Sequence, residues 1–147
     1  MVSICPSMSR ILVPVDGSEH AENAFEYAVE HFPEDDIVAL HVIELPEGYF
    51  AAFAEDTESL PQVEDAKERG HQILGDIESL AADLDAEVET EIISGNPPDK
   101  ILSYVEDEDV DEIVIGSRGL SGVGRIMFGS VAEQVVRRSE VPVVVVH

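Results

Sequence analysis

Four apolar runs, each too continuous to be a strand with one wet face, are separated by stretches that carry helical spacing. This alternation constrains the fold more than any other feature of the chain. The runs are ILVPVD at 11 to 16, DIVALHVIEL at 36 to 45, EIVIG at 112 to 116 and VPVVVV at 141 to 146. Between the first two, Ala21, Ala24, Phe25, Ala28, Val29 and Phe32 recur at three- and four-residue steps, with Glu22, Glu26 and Glu30 opposite, and Pro33 closes the segment. Asp16 or Ser18 is placed to cap that helix. From Val63 a second amphipathic helix carries Ala66, Ile73, Leu74, Ile77, Leu80, Ala81 and Leu84 on its apolar side. PEGYFAAFAEDTESLPQ, ahead of it, has no consistent period and reads as a loop.

One strand differs from the rest. AEVETEII alternates Val88, Thr90 and Ile92 with Glu87, Glu89 and Glu91, the pattern of an edge strand with one solvated face. Gly95 and Asn96 then turn the chain, and Pro97 and Pro98 suit the first turn of a third helix bearing Ile101, Leu102 and Val105. Ser130 with Glu133 makes a capping-box signature for a fourth helix ending near Arg138. Strands alternating with helices over 147 residues predict one domain of the doubly wound α/β class, a parallel sheet with helices on both faces. Residues 1–8, with the lone Cys5, are expected to be a disordered N-terminal extension ahead of a single domain at 9–147, and Met8 is a candidate start. With no basic start followed by an apolar leader, and no apolar run of membrane-spanning length, the expected location is the cytoplasm.

The charge balance narrows the partners. Thirty-two acidic residues face eight basic ones, for a formal net charge of −24 at pH 7. Such a field disfavours nucleic acid and anionic membranes as partners, and with lysine only at 67 and 100 it suits a salty cytoplasm where self-repulsion is screened. Against this background Arg118, Arg125, Arg137 and Arg138 supply half of the basic residues within 21 positions. The last two fall in the final turn of a helix, where they complement its dipole. The first two lie in GSRGLSGVGRIMFGS, residues 116 to 130, and can neutralise phosphate or make loop ion pairs.

That stretch holds five glycines in fifteen residues. Glycines let backbone amides converge on an anion, and a helix N-terminus adds partial positive charge, so the stretch reads either as a phosphate cradle or as a flexible loop. Ligands of doubly wound sheets bind beyond the carboxyl ends of the strands, where Asp16 and Gly17 would share a crevice with residues 116 to 130 if strands one and four are neighbours. A dinucleotide fingerprint is absent, because GSE follows the first strand. Gly124, four residues, Gly129 and Ser130 approximate a P-loop spacing without its lysine, which points to a binder more than to a rapid phosphoryl-transfer enzyme. His20, His31, His41, His71 and His147 form no metal spacing, and neither Ser18 nor Ser121 has an assignable His and acid partner, so no catalytic residue is expected.

Gly116, two residues, Gly119, nine residues, then Gly129 and Ser130 resembles the GxxG, nine-residue gap, G(S/T) motif of ATP-binding universal stress proteins. RILVPVDGSEHA is similar to that family's opening strand and turn, and GSVAEQVVRRSEVPVVVV to its closing helix and strand. The resemblance implies a five-stranded parallel sheet in the order 3-2-1-4-5. It also implies ATP, with or without Mg²⁺, as ligand, and a homodimer formed through Val143 to Val146. Carried over by position, Pro14, Val15 and Asp16 would meet the base and ribose, and the Val42 backbone the adenine edge. Gly116, Arg118 and Gly119 would border ribose and phosphates, and Gly129, Ser130 and Val131 would hold the phosphates. The implied role is a regulatory or stress-response protein that senses or stores adenine nucleotide. A hydrolysing or adenylyl-transferring enzyme on the same scaffold, and an interaction module without nucleotide, are the alternatives.

Overall fold

A computed structural model describes residues 9–44, 61–117 and 130–147, with side chains throughout except at 61–63 and 130. In chain order the elements are β1 (Arg10–Pro14), α1 (Glu19–His31), β2 (Asp36–Glu44), α2 (Pro61–Asp83), β3 (Glu89–Gly95), α3 (Pro97–Asp107), β4 (Glu112–Gly116), α4 (Ser130–Arg138) and β5 (Val143–Val146). The strands form one parallel sheet in the order β3-β2-β1-β4-β5. The reversal of direction at β1 puts β1 and β4 side by side, as the crevice between Asp16 and residue 116 requires.

Two apolar layers explain the unalternated strands. Ile11, Val13, Ile37, Ala39 and Val114 meet Ala21, Ala24, Phe25 and Ala28 of α1 and Ile73, Leu74, Ile77 and Ala81 of α2 on one face. On the other face Leu12, Val38, Leu40, Ile113 and Ile115 meet Ile101 of α3 and Ala132 and Val135 of α4. Successive strand residues point to opposite faces, so a strand covered on both reads as a near-continuous apolar run. Fully burying a side chain such as Phe25 or Leu40 contributes about 1.5–3 kcal/mol, and these two layers are the main source of stability.

Several boundaries differ from the sequence-based expectation. β3 is an edge strand, as the alternation of its glutamates indicates, but it runs from Glu89 to Gly95 and leaves Val88 outside. α2 begins two residues before Val63, at Pro61, a residue whose fixed φ and missing N–H suit a first helical turn. Leu84 is a correction. The helix stops at Asp83 and Asp85 turns to a φ of 56°, which leaves the Leu84 side chain 37% exposed instead of in the apolar stripe. The loop expected at residues 46 to 62 lies outside the described residues apart from its last two, which are helical. The extension at 1–8 lies outside them entirely.

At the amino ends of the strands Arg10 ties distant segments together. Its backbone N–H donates to Asp111 Oδ2 at 2.8 Å, and its Nη2 donates to the Tyr104 hydroxyl at 3.3 Å. Its guanidinium also lies 3.4 Å from Glu89 and 4.0 Å from Glu108. The bond to Tyr104 is the main reason the guanidinium pKa is raised above its ordinary value, while burial raises that of the Tyr104 phenol.

Candidate functional site at the carboxyl ends of the strands

The strand pairing opens at the carboxyl ends of β1 and β4. β1 stays in register with β2 as far as Pro14 opposite Leu40, and β4 with β5 as far as Gly116 opposite Val146. Between β1 and β4 the pairing stops earlier, at Leu12 opposite Ile113. The Val15 N–H donates to the Leu40 carbonyl at 2.8 Å, so Val15 faces β2 and its neighbour Pro14 faces β4. Proline brings no N–H to that side, so β1 offers β4 no donor there and a crevice begins.

The turn after β1 is built by its own side chains. Asp16 Oδ1 accepts from the Ser18 N–H at 3.0 Å, and Ser18 Oγ accepts from the Ala21 N–H at 3.2 Å. Of the two capping candidates, Ser18 therefore caps α1, and Asp16 shapes the turn before it. Gly17, with φ of 87°, occupies the left-handed region that this turn requires.

Gly116 has a different reason to be glycine from the phosphate approach read in the sequence. A Cβ there would lie 2.4 Å from the His20 carbonyl oxygen and 2.9 Å from the Ala21 nitrogen. The first turn of α1 therefore packs directly on the end of β4. Next to it Ser117 is fully buried, its N–H donating to the Val146 carbonyl at 2.8 Å and its Oγ lying 2.7 Å from His147 Nδ1. These bonds fix the point from which the glycine stretch departs.

A cavity of about 380 Å³ opens above these strand ends. Pro14, Val15, Asp16, Val42, Gly116 and Val131, six of the positions singled out from the sequence, line it together. Arg118, Gly119 and Gly129 lie outside the described residues, as does the side chain of Ser130, whose backbone begins α4. Val131 and Ala132, in the first turn of α4, line the wall, so the N-terminal end of that helix borders the cavity. The volume lies within the usual range for small-molecule sites, about 300–1,000 Å³.

Three charged or titratable residues in the wall were not assigned to the site from the sequence. Arg69, with Ala66 and Ile73, reaches the cavity from α2, is exposed, and has no ion-pair partner among the described residues. Its spacing from Ala66 and Ile73 places a cation on the apolar stripe, a signal that the sequence did hold. Glu44, at the exposed end of β2, adds a carboxylate to the wall. His41 lies half-buried in the wall with Nδ1 2.8 Å from the Val15 carbonyl oxygen. A carbonyl only accepts, so Nδ1 carries the hydrogen.

The arrangement is that of a doubly wound α/β fold with a cavity at the point where strand order reverses. The chain belongs to the universal stress protein family, whose model matches residues 8–147. Universal stress protein MJ0531 of Methanocaldococcus jannaschii is 32% identical over 139 residues, with 93% of this chain and 81% of that protein covered. YxiE of Bacillus subtilis, another universal stress protein, is 30% identical, covering 95% of this chain and 99% of its own. The solved structure of MJ0577, a universal stress protein of M. jannaschii, superimposes with a TM-score of 0.75 at 31% identity, covering 94% of each chain. Among the described residues no helix is long and apolar enough to cross a membrane.

Proposed function

We propose that this protein binds ATP in the carboxyl-end cavity and acts as a nucleotide-responsive regulatory protein in the stress response, working in the cytoplasm as a homodimer. The observation that carries this reading is the convergence of the β1 turn, the end of β2, Gly116 and the first turn of α4 on one cavity at the reversal of strand order. The donor set suits an adenine nucleotide. Val15 and Val42 offer apolar walls for a base, Asp16 an acceptor for ribose hydroxyls, and the α4 N-terminus partial positive charge for phosphate. Bound ATP would bring the family's ligand chemistry to a site whose own residues position it and exclude water.

Within this reading Pro14, Val15 and Asp16 hold base and ribose, and Val42 takes the base edge through its backbone. Gly116, Arg118 and Gly119 border the ribose and phosphates, Gly129, Ser130 and Val131 bind the phosphates, and Mg²⁺ is an optional companion. Support for the ligand class comes from solved proteins of the same fold. A universal stress protein of Archaeoglobus fulgidus is described in complex with dAMP, with 24% identity and a TM-score of 0.67 over 96% of this chain and 98% of that one. For the dimer, β5 is the outermost strand, its valines are half-buried, and pairing with a second copy would cover that edge.

Calorimetric titration with ATP and AMP, with and without Mg²⁺ at high salt, tests the reading, with nucleotide analysis after prolonged incubation. Saturable ATP binding lost in Gly129→Val is the expected result. No binding would refute it, many turnovers per minute would favour an enzyme, and Gly129→Val binding as well as the parent would remove the glycine stretch from the site.

A further inference from the structure

The end of the β1–β2 ladder is set by a side chain. In a parallel pair each inward-facing residue uses its N–H on one rung and its carbonyl on the next. Val15 donates to the Leu40 carbonyl, so the following rung would run from the Val42 N–H to the Val15 carbonyl. That carbonyl instead receives His41 Nδ1 at 2.8 Å, and no backbone bond from Val42 to β1 is formed among the described residues. β2 continues beside β3 as far as Glu44 opposite Gly95, so its other edge stands open at Val42, over the cavity.

The imidazole occupies a fitted slot. Gly70 of α2 is buried above it, and a Cβ at that position would lie 2.8 Å from His41 Cδ2 and 2.5 Å from Ile92 Cδ1. Helix α2 therefore gives up a side chain where the ring passes. Val42 points its own side chain into the opposite layer, with Ile93, so the backbone is the polar part of Val42 toward the β1 side.

We infer that His41 is a positioning residue for base recognition: by taking the Val15 carbonyl it keeps the Val42 N–H and C=O free to read the edge of an adenine. This rests on the nucleotide reading above. An adjacent backbone donor and acceptor match adenine, whose ring N1 accepts and whose 6-amino group donates. Guanine presents the reverse pair there, an N1–H donor and an O6 acceptor. Once the Val42 N–H closes onto Val15, the site loses its donor, and with it the means to prefer adenine.

Two measurements test this on the full chain. Amide hydrogen exchange of the nucleotide-free protein should show the Val42 N–H exchanging freely in the parent and becoming at least about tenfold more protected in His41→Phe, which keeps a ring but removes the donor. ATP and GTP titrations should show ATP binding about tenfold weaker in His41→Phe, with GTP unchanged, as expected for one lost hydrogen bond. His41→Gln, which restores a donor, should recover part of the preference for ATP and remains informative if the Phe variant does not fold. A Val42 amide already protected in the parent, or an ATP-to-GTP ratio unchanged in His41→Phe, overturns the inference. If the parent binds neither nucleotide, the nucleotide reading and the base-reading role fall together, while the exchange data still decide whether His41 holds the ladder open.

Discussion

At the amino ends of the strands the Arg10 guanidinium lies among Tyr104, Glu89 and Glu108, and its backbone exchanges hydrogen bonds with Asp111 in both directions. At the carboxyl ends the same sheet does the opposite. Pro14 withholds a donor from β4, His41 diverts an acceptor from Val42, and Arg69 stands without an ion-pair partner among the described residues. Apart from the buried Arg10 Nε, which has no hydrogen-bond partner among the described residues, one end ties its charged groups into the fold, while the other leaves a backbone edge and a cation facing the cavity. Unpaired backbone groups are costly once water is excluded, so the open end makes physical sense only with water or a ligand in it. The contrast separates residues that hold the sheet together from residues that equip its cavity, and each variant below tests one side of that division.

Gly116 crosses the division and carries the largest expected effect. It lines the cavity, yet its missing side chain serves the packing of α1 on β4. Gly116→Val should cost about 3 kcal/mol or more, because the blocking atoms are backbone and cannot rotate away. Chemical denaturation measures it, and a loss below about 1 kcal/mol would mean that α1 does not rest on this position. Arg10→Met at the closed end comes next, with a loss of about 1–2 kcal/mol from broken charge-assisted bonds. Its ATP affinity should match the parent's, and a changed affinity would break the separation of the two ends.

Ser18→Ala should cost about 1 kcal/mol in a thermal or chemical melt, the usual value of an N-cap, because its Oγ satisfies the Ala21 N–H. The smallest stability effect belongs to Arg69→Ala, an exposed helix position, at about 0.5 kcal/mol or less. That variant should instead weaken ATP binding severalfold at low salt and less at high salt, as screening removes the arginine's attraction for phosphate charge. A salt-independent loss would argue for contact with the base rather than with phosphate.

Much of the fold was legible because both faces of the sheet are covered, which leaves β1, β2, β4 and β5 largely apolar without alternation, and β3, one of the two edge strands, alternating. The helix stripes and the two prolines opening α3 were equally plain, since each depends on neighbours within a turn or two. The cavity was legible in part. Asp16 and Gly116 end strands that the fold class places at one crevice, and six of the positions read from the sequence do line it. The role of Gly116 was not legible, because it depends on the close approach of His20, nearly a hundred residues earlier in the chain. His41 looked like one of five scattered histidines, and only the register between β1 and β2 sets its ring against the Val15 carbonyl. Leu84 failed the stripe because periodicity does not mark where a helix stops.

The most direct test of the whole account is an amide-resolved magnetic resonance titration of the parent protein with ATP at high salt. Shifts concentrated at Val15, Asp16, Val42, Gly116 and Val131, with Arg10, Glu89, Glu108 and Asp111 unmoved, are the predicted result. Shifts gathered around Arg10, or an unchanged spectrum at saturating ATP, would contradict it.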